Sequence, residues 1–303
     1  MVTAPSESRR VPRRRRGRYA ALGLRTLGAA LLGGVPGGFF IPYRHADVAL
    51  RAAPQVYPEV EALFGLHRAD ILDGLAAIDA VGTELRAWRD TDPPPAPRWG
   101  QIWFPRLDAA AAYALARREP PARVVEVGAG HSTRVLARAI RDSGIPCDHA
   151  VIDPQPRADL AGLPVRWERG VLEARHLALF DALEAGDIAF FDSSHILMPG
   201  TDLDLIVSRI LPRLRSGVRV HIHDVFLPDA YPADWVWRGY NEQTAVAALL
   251  LGAGFTIDFA SRYALTRLDA VTVSPTLAAL PVGREGIESS LWLRKRDGAP
   301  VSR

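Results

Sequence analysis

From Arg123 onward, short apolar segments alternate with helical stretches, and the segments lack the polar residue at every second position that marks a half-exposed strand. The spacing predicts strands over 124–127, 149–153, 164–169, 188–192, 218–224, 255–260 and 290–296. Helices are expected over 132–143, 172–183, 202–215 and 242–251 between them. Strands apolar on both faces and separated by helices belong to a parallel sheet covered on both sides. The expectation is an α/β fold with a doubly wound, mostly parallel, seven-stranded sheet. Its ligand site should lie beyond the carboxyl ends of the strands.

The chain ahead of this pattern divides in two. Residues 1–18 hold seven of the 37 basic residues and one of the 34 acidic ones, so the remainder carries 30 basic against 33 acidic. The positive charge therefore sits in an arginine-rich tail, read as disordered, and the folded body does not look like a nucleic-acid binder. Residues 19–96 read as a helical extension. Apolar positions recur at three- and four-residue steps over 56–90, and "DTDPPPAPRWG" breaks the pattern before a main domain at 97–303 that starts with a helix over 107–118. The apolar run from Tyr19 to Tyr43 follows a basic start but is interrupted by Arg25 and Pro36. It is too broken for a span of about 20 apolar residues and raises peripheral membrane contact through residues 9–43. A cytoplasmic protein, membrane-associated if that contact forms, is the expected setting.

Several chemistries are excluded early. Cys147 is the only cysteine, which leaves no intrachain disulfide or cysteine-based metal site, and the residue reads as a small buried apolar group. Lys295 is the only lysine, which removes the Gly-Lys-Ser/Thr phosphate loop, the kinase site and a Schiff base.

The loop after the first strand, in "ARVVEVGAGHSTRVLARAI", is Gly128-Ala129-Gly130. Glycines let a backbone bend sharply and approach a ligand, and Ser132 or Thr133 stands where a helix cap belongs. A dinucleotide turn wants a third glycine at the position of Thr133, and Glu126 would face a pyrophosphate of its own sign. An acid beside a ligand that carries a positive amino group makes electrostatic sense.

"VVEVGAG" resembles the first motif of the class I S-adenosylmethionine-dependent methyltransferases, in which an apolar strand ends Glu/Asp-x-Gly-x-Gly. The resemblance covers residues 97–296 in layout. It implies the Rossmann-like methyltransferase sheet, S-adenosylmethionine as cofactor, and a cofactor set of Glu126, Gly128, Ala129, Gly130, His131, Ser132 and Asp192. Asp153, at the end of the next strand, would take the ribose hydroxyls.

The next two strands end in "FFDSSH" and "HIHD", bringing Asp192, His195, His221, His223 and Asp224 to the same rim. Alternation puts His221 and His223 on one face and Asp224 on the other. Three readings stand. Asp192 and Asp224 share Mg2+, as in the catechol O-methyltransferase-like branch, although Val225 stands where that branch carries Asn or Asp. Alternatively, His195 or His223 acts as general base, with Asp192 alongside, and no metal is used. In the third, the histidines are structural, with Asp202 and Asp204 capping a helix. The aromatic stretch after Asp224, with Phe226, Tyr231, Trp235, Trp237 and Tyr240, reads as a lid or substrate wall, and 97–108 as a cover for the cofactor. The chain also resembles uncharacterised bacterial methyltransferases with DSSH and HDxFxP signatures. The expected reaction is O-methylation of a small hydroxylated metabolite or sugar. The rivals are an NAD(P)-dependent oxidoreductase on a similar sheet and a non-catalytic nucleotide-binding module.

Overall fold

The computed structural model of the chain describes residues 56–283 and 286–297, with scattered positions between 21 and 48. The tail 1–18 and most of the apolar stretch to residue 43 lie outside the described residues, and with them the membrane contact expected of 9–43. Among the described residues no helix is long and apolar enough to cross a membrane.

From residue 56 onward the chain runs through α1 (Pro58–Leu66), α2 (Arg68–Ala80) and α3 (Gly82–Arg86), followed by α4 (Arg106–Arg118). The alternating part then runs β1 (Arg123–Val127), α5 (His131–Ser143), β2 (Asp148–Ile152), β3 (Arg166–Glu168), α6 (Leu177–Asp181), β4 (Ile188–Phe191), α7 (Asp202–Leu205) and β5 (Arg219–Ile222). After it come α8 (Glu242–Leu251), β6 (Phe255–Ala260), α9 (Ser261–Arg267), α10 (Ala270–Val273), α11 (Pro275–Ala279) and β7 (Leu291–Lys295). The seven strands form one sheet in the order β3-β2-β1-β4-β5-β7-β6. β1 to β5 pair in parallel, and β7 runs antiparallel to both β5 and β6. This is the doubly wound, mostly parallel seven-stranded sheet expected from the sequence. Apart from Arg123, Glu126, Arg219 and His221, the central strands β1, β4 and β5 carry mainly β-branched and aromatic residues buried on both faces, which is why they read as mostly apolar runs.

The alanine-rich α4 is buried nearly all round, and its small side chains let it lie close against its neighbours. Helices α1 to α3 join the same core. Val60, Phe64, Ile71, Leu75, Ile78 and Leu85 belong to one apolar cluster with the sheet residues. Gly74 shows the closeness: a Cβ there would lie 2.4 Å from Phe259 Cδ2. A glycine inside a helix costs about 1 kcal/mol against alanine. Seating the Phe259 ring, worth about 1.5–3 kcal/mol when fully buried, outweighs it. Residues 56–96 therefore pack into the main body rather than standing apart as an extension that ends at residue 96.

Two other expectations are corrected. The helix expected over 202–215 is α7, a π turn (Ile206–Ile210) and a 3-10 turn (Leu211–Arg213). Pro212 has no N–H to continue a regular ladder. Residues 261–279, assigned to no element in the sequence, form three short helices. Ser274 caps α11 by accepting from Leu277 N (3.1 Å), ahead of Pro275 at the first helical position, a pairing that marks a helix start.

By contact density the chain forms two compact units, Val56–Asp229 with Asn241–Arg303, and residues 1–55 with 230–240. Within the second, the Arg238 guanidinium lies 3.6 Å over the Trp235 ring, and Tyr240 meets Trp235 edge-on at 5.9 Å.

Candidate functional site

The parallel ladder itself carries the candidate residues to one rim. Beyond each strand's last paired residue the next N–H still donates to the neighbouring strand. Gly128 N reaches Ile152 O (3.0 Å), Asp153 N reaches Glu168 O (3.2 Å), Asp192 N reaches Val127 O (2.9 Å) and His223 N reaches Phe191 O (2.9 Å). The glycine turn and the ends of β2, β4 and β5 are thereby fixed side by side, at the carboxyl edge where such sheets bind ligands.

Gly128 (φ 84°) and Gly130 (φ 155°) both occupy backbone conformations that disfavour a side chain. At Gly128 a Cβ would fall 1.9 Å from the Asp192 carbonyl oxygen, so the turn lies directly on the end of β4. Thr133 Oγ1 accepts from Gly130 N (3.1 Å), which anchors the start of α5. Asp153 spans the turn from β2: Oδ2 accepts from Ala129 N (2.7 Å) and Oδ1 from Gln155 N (2.5 Å).

Glu126 departs from its expected role. Its carboxylate is 0% exposed and already accepts from His149 Nε2, from Thr133 Oγ1 (3.2 Å) and from Ser132 Oγ (3.4 Å). The carboxylate is thus fully enclosed, with three protein donors satisfying it. Glu126 ties β1 and β2 to the first turn of α5, and Ser132 turns inward with it.

Two polar atoms next to the turn behave differently. Among the described residues, the buried Ser193 Oγ, one step past Asp192, and the buried His131 Nδ1, one step past Gly130, have no hydrogen-bond partner in the protein. Burial and the neighbouring Arg134 and Arg98 guanidinium groups push the His131 imidazole down to about 4. Such orphaned groups are costly, and these two stand beside the turn without a partner from the protein.

Over the other side of the turn, Arg157 N donates to Ala129 O (3.1 Å), and the Arg157 guanidinium lies 4.2 Å over the ring of Trp103, which is 46% exposed. Gln101 folds the 101–104 loop by accepting from Trp103 N and Phe104 N, each at 2.8 Å. The stretch 97–108 thus reaches the rim as expected, with Phe104 packed on His223 at 5.5 Å between ring centres.

Asp192, His195, His223 and Asp224 do come together. His195 Nε2 lies 3.3 Å from Asp192 Oδ1 and 3.6 Å from Asp224 Oδ2. His223 Nδ1 lies 3.5 Å from Asp192 Oδ1 and 3.5 Å from Asp224 Oδ1. The expected opposition of Asp224 to His223 fails because β5 ends at Ile222. Asp224 takes a left-handed backbone (φ 55°) that turns its carboxylate back to the cluster. His195 is left-handed as well (φ 59°). Strain in bulky residues gathers at functional sites. His221 stays out of the cluster: it stacks on Phe190 at 3.8 Å, and its Nε2 pairs with Ser290 Oγ at 2.8 Å. Asp202, expected as a cap, instead accepts from Ser194 N (2.9 Å) and steadies the loop before His195, while Thr201 caps α7.

Two acids of the cluster went unnoticed or nearly so in the sequence. Glu242 Oε2 accepts from His195 Nδ1 at 2.7 Å. Asp108 on α4, 0% exposed, accepts from His223 Nε2 (3.3 Å), Ser289 N (3.0 Å) and Ser290 N (2.9 Å). Neither belongs to a motif at a strand end, so only the packing of α4 and α8 against the rim reveals them.

Electrostatics follow from this wiring. Burial works against charge on His195, but Asp192 and Glu242 bonded to its ring hold its pKa well above the usual value. Burial likewise opposes charge on His223, and Asp192, Asp224 and Asp108 overcome it. Burial would raise the Asp192 carboxyl, yet His223 and His195 hold it well below the carboxylate range. Both imidazoles thus favour the charged form, with each ring nitrogen facing a carboxyl group. The Asp192 side chain, 31% exposed, is the open member of the group.

A shared divalent ion fits this arrangement poorly. The imidazole nitrogens stand between the two carboxylates that would hold it, and among the described residues no group of three or more His, Cys, Asp and Glu is set to hold a metal. Mg2+ prefers an all-oxygen octahedron.

No family model matches the chain, and no curated protein matches it. Several solved structures are similar. The SAH-bound methyltransferase PaMTH1 of Podospora anserina is 16% identical over 86% of this chain and 100% of its own, with a TM-score of 0.40. The O-methyltransferase TomG of Streptomyces achromogenes, solved with SAM, is 17% identical over 74% of this chain and 90% of its own, with a TM-score of 0.39. The branched-chain polyamine synthase of Thermus thermophilus is 19% identical over 73% of this chain and 65% of its own, with a TM-score of 0.38. At such scores these neighbours add no argument to the strand order itself.

Proposed function

We propose that the chain is an S-adenosylmethionine-dependent methyltransferase that acts on a hydroxyl oxygen of a small molecule. The observation that carries the reading is the glycine turn at the end of the central strand, bridged by Asp153 and flanked by the orphaned Ser193 Oγ and His131 Nδ1. That is a turn with two unpartnered polar atoms beside it, at the rim where open parallel sheets bind ligands.

Gly128, Ala129, Gly130, His131 and Asp153 would hold the cofactor, with Asp192 and Ser193 forming its wall toward β4. S-adenosylmethionine, when bound, supplies an activated methyl group. What remains for the protein is to align an acceptor oxygen and favour its anionic form. His195 Nε2–H and His223 Nδ1–H, the two donors that converge between Asp192 and Asp224, would lower the acceptor's pKa by stabilising oxygen anion. Asp192, ionised and open, would orient the acceptor hydroxyl and take its proton as the methyl transfers, passing it on to solvent. The backbone contact between Gly128 and Asp192 makes the cofactor and acceptor sides share one wall.

The test is a screen of phenols, catechols and sugars for methyl acceptance from labelled S-adenosylmethionine. His195→Gln and His223→Gln should each lower turnover by about 10²-fold, within the range for removing one donor to a developing oxygen anion. A screen without any labelled product from the full chain would count against the reading.

A further inference from the structure

The first residues of α8 are committed to the loop that carries His195. Asn241 N donates to His195 O (3.2 Å). The Asn241 side chain grips the same loop two residues on, where Oδ1 accepts from Leu197 N (2.7 Å) and Nδ2 donates to Leu197 O (3.2 Å). Glu242 Oε2 then accepts from His195 Nδ1 at 2.7 Å.

Two features need explaining. A left-handed backbone at His195 costs about 1–3 kcal/mol and persists only where its surroundings enforce it. The Asn241 bonds at both ends of the loop supply that enforcement. Glu242 is a carboxyl group only 2% exposed. An apolar side chain of similar size would bury more cheaply than an acid. What the acid adds is direction: a carboxylate on Nδ1 leaves Nε2 facing Asp192 and Asp224.

We propose that Glu242, with Asn241, is a positioning pair that fixes which nitrogen of His195 faces the acceptor side. The inference rests on the methyltransferase reading for its kinetic arm. Asp108 stands behind His223 in a similar place, but its oxygens already accept from Ser289 N and Ser290 N, so its hold on the ring is shared. Glu242 has no comparable backbone duty in its bond to His195.

The experiment compares wild type, Glu242→Gln, Glu242→Leu and Asn241→Ala. Nitrogen-15 NMR of histidine rings comes first, with the His195 signal assigned by its loss in His195→Gln. A short N–H to carboxylate bond should place the wild-type His195 Nδ1–H far downfield. Glu242→Gln and Glu242→Leu should remove that signal, and Asn241→Ala should broaden or shift it. S-adenosylhomocysteine affinity should stay within about threefold, a change of less than 1 kcal/mol. Turnover on an acceptor taken by the wild type should fall at least about tenfold, with the KM for S-adenosylmethionine unchanged. An unmoved His195 signal in both Glu242 variants overturns the proposal. So does an S-adenosylhomocysteine affinity that falls in step with turnover, which marks a structural role. If Glu242→Leu does not fold, the isosteric Glu242→Gln decides alone. A wild type that binds no S-adenosylhomocysteine defeats the functional reading, while the ring signals still decide the role of Glu242.

Discussion

Gly128 sits so close to Asp192 that a single methyl group on it would meet the Asp192 carbonyl oxygen at 1.9 Å. The contact is backbone to backbone, and Asp192 N is itself bonded to Val127 O (2.9 Å), so neither side can give way easily. Gly128→Ala combines this overlap, a class of overpacking that costs about 1–3 kcal/mol, with a positive φ that adds a similar strain. Urea unfolding should show a loss of about 2–5 kcal/mol. A variant as stable as wild type would mean that the turn does not lie against β4 as described.

Glu126 and Asp153 both end strands in carboxylates, yet the structure gives them different work. Glu126→Ala strips an acceptor from His149, Ser132 and Thr133 in a sealed pocket, and each stranded group costs about 1–3 kcal/mol. Its main effect should be a lower Tm. The residual folded fraction, assayed below that Tm, should retain S-adenosylhomocysteine binding. Unchanged thermal stability with lost binding would restore Glu126 to the ligand side.

How much of this was open to sequence reading depends on period and locality. The strands and the rim were legible because a parallel sheet needs continuous apolar runs, and those runs end in Gly128, Asp153, Asp192 and His223. The partners of the histidines were not, because Asp108 and Glu242 reach the rim from helices by tertiary packing alone. The face of Asp224 was misjudged for a related reason: alternation stops where the strand stops, and a left-handed residue then reverses the direction of the side chain. Glu126 matches a ligand-binding motif, while its donor His149 comes from a neighbouring strand that no local pattern connects to it.

The imidazole nitrogens that stand between Asp192 and Asp224 predict that methyl transfer does not depend on a divalent ion. Activity in excess EDTA should equal that in buffer, and added Mg2+ should change it little. Loss of activity in EDTA with recovery on Mg2+ would show that the histidines move aside for a cation.

His131 gives a pH signature of its own. Its imidazole is depressed to about 4 in the folded chain, by burial first and then by Arg134 and Arg98. An unfolded histidine titrates near 6.5. Between those values the unfolded chain binds the extra proton, so stability rises with pH across the window and is lost as pH falls through it. Above 6.5 the residue contributes no slope. His131→Asn should flatten the dependence of unfolding free energy on pH between 6.5 and 4 while leaving it unaltered above 7. Parallel curves for the two proteins through that window would contradict the burial of this ring.

The central claim is that the turn over 128–130, bridged by Asp153, seats a sulfonium nucleoside. Titration calorimetry of the full chain with S-adenosylmethionine, S-adenosylhomocysteine and NADH tests it most directly. The account predicts saturable heat with the first two, an affinity at least about tenfold weaker in Asp153→Ala, equivalent to about 1.4 kcal/mol, and no binding of NADH. Tight NADH binding with no response to either S-adenosyl compound would contradict it.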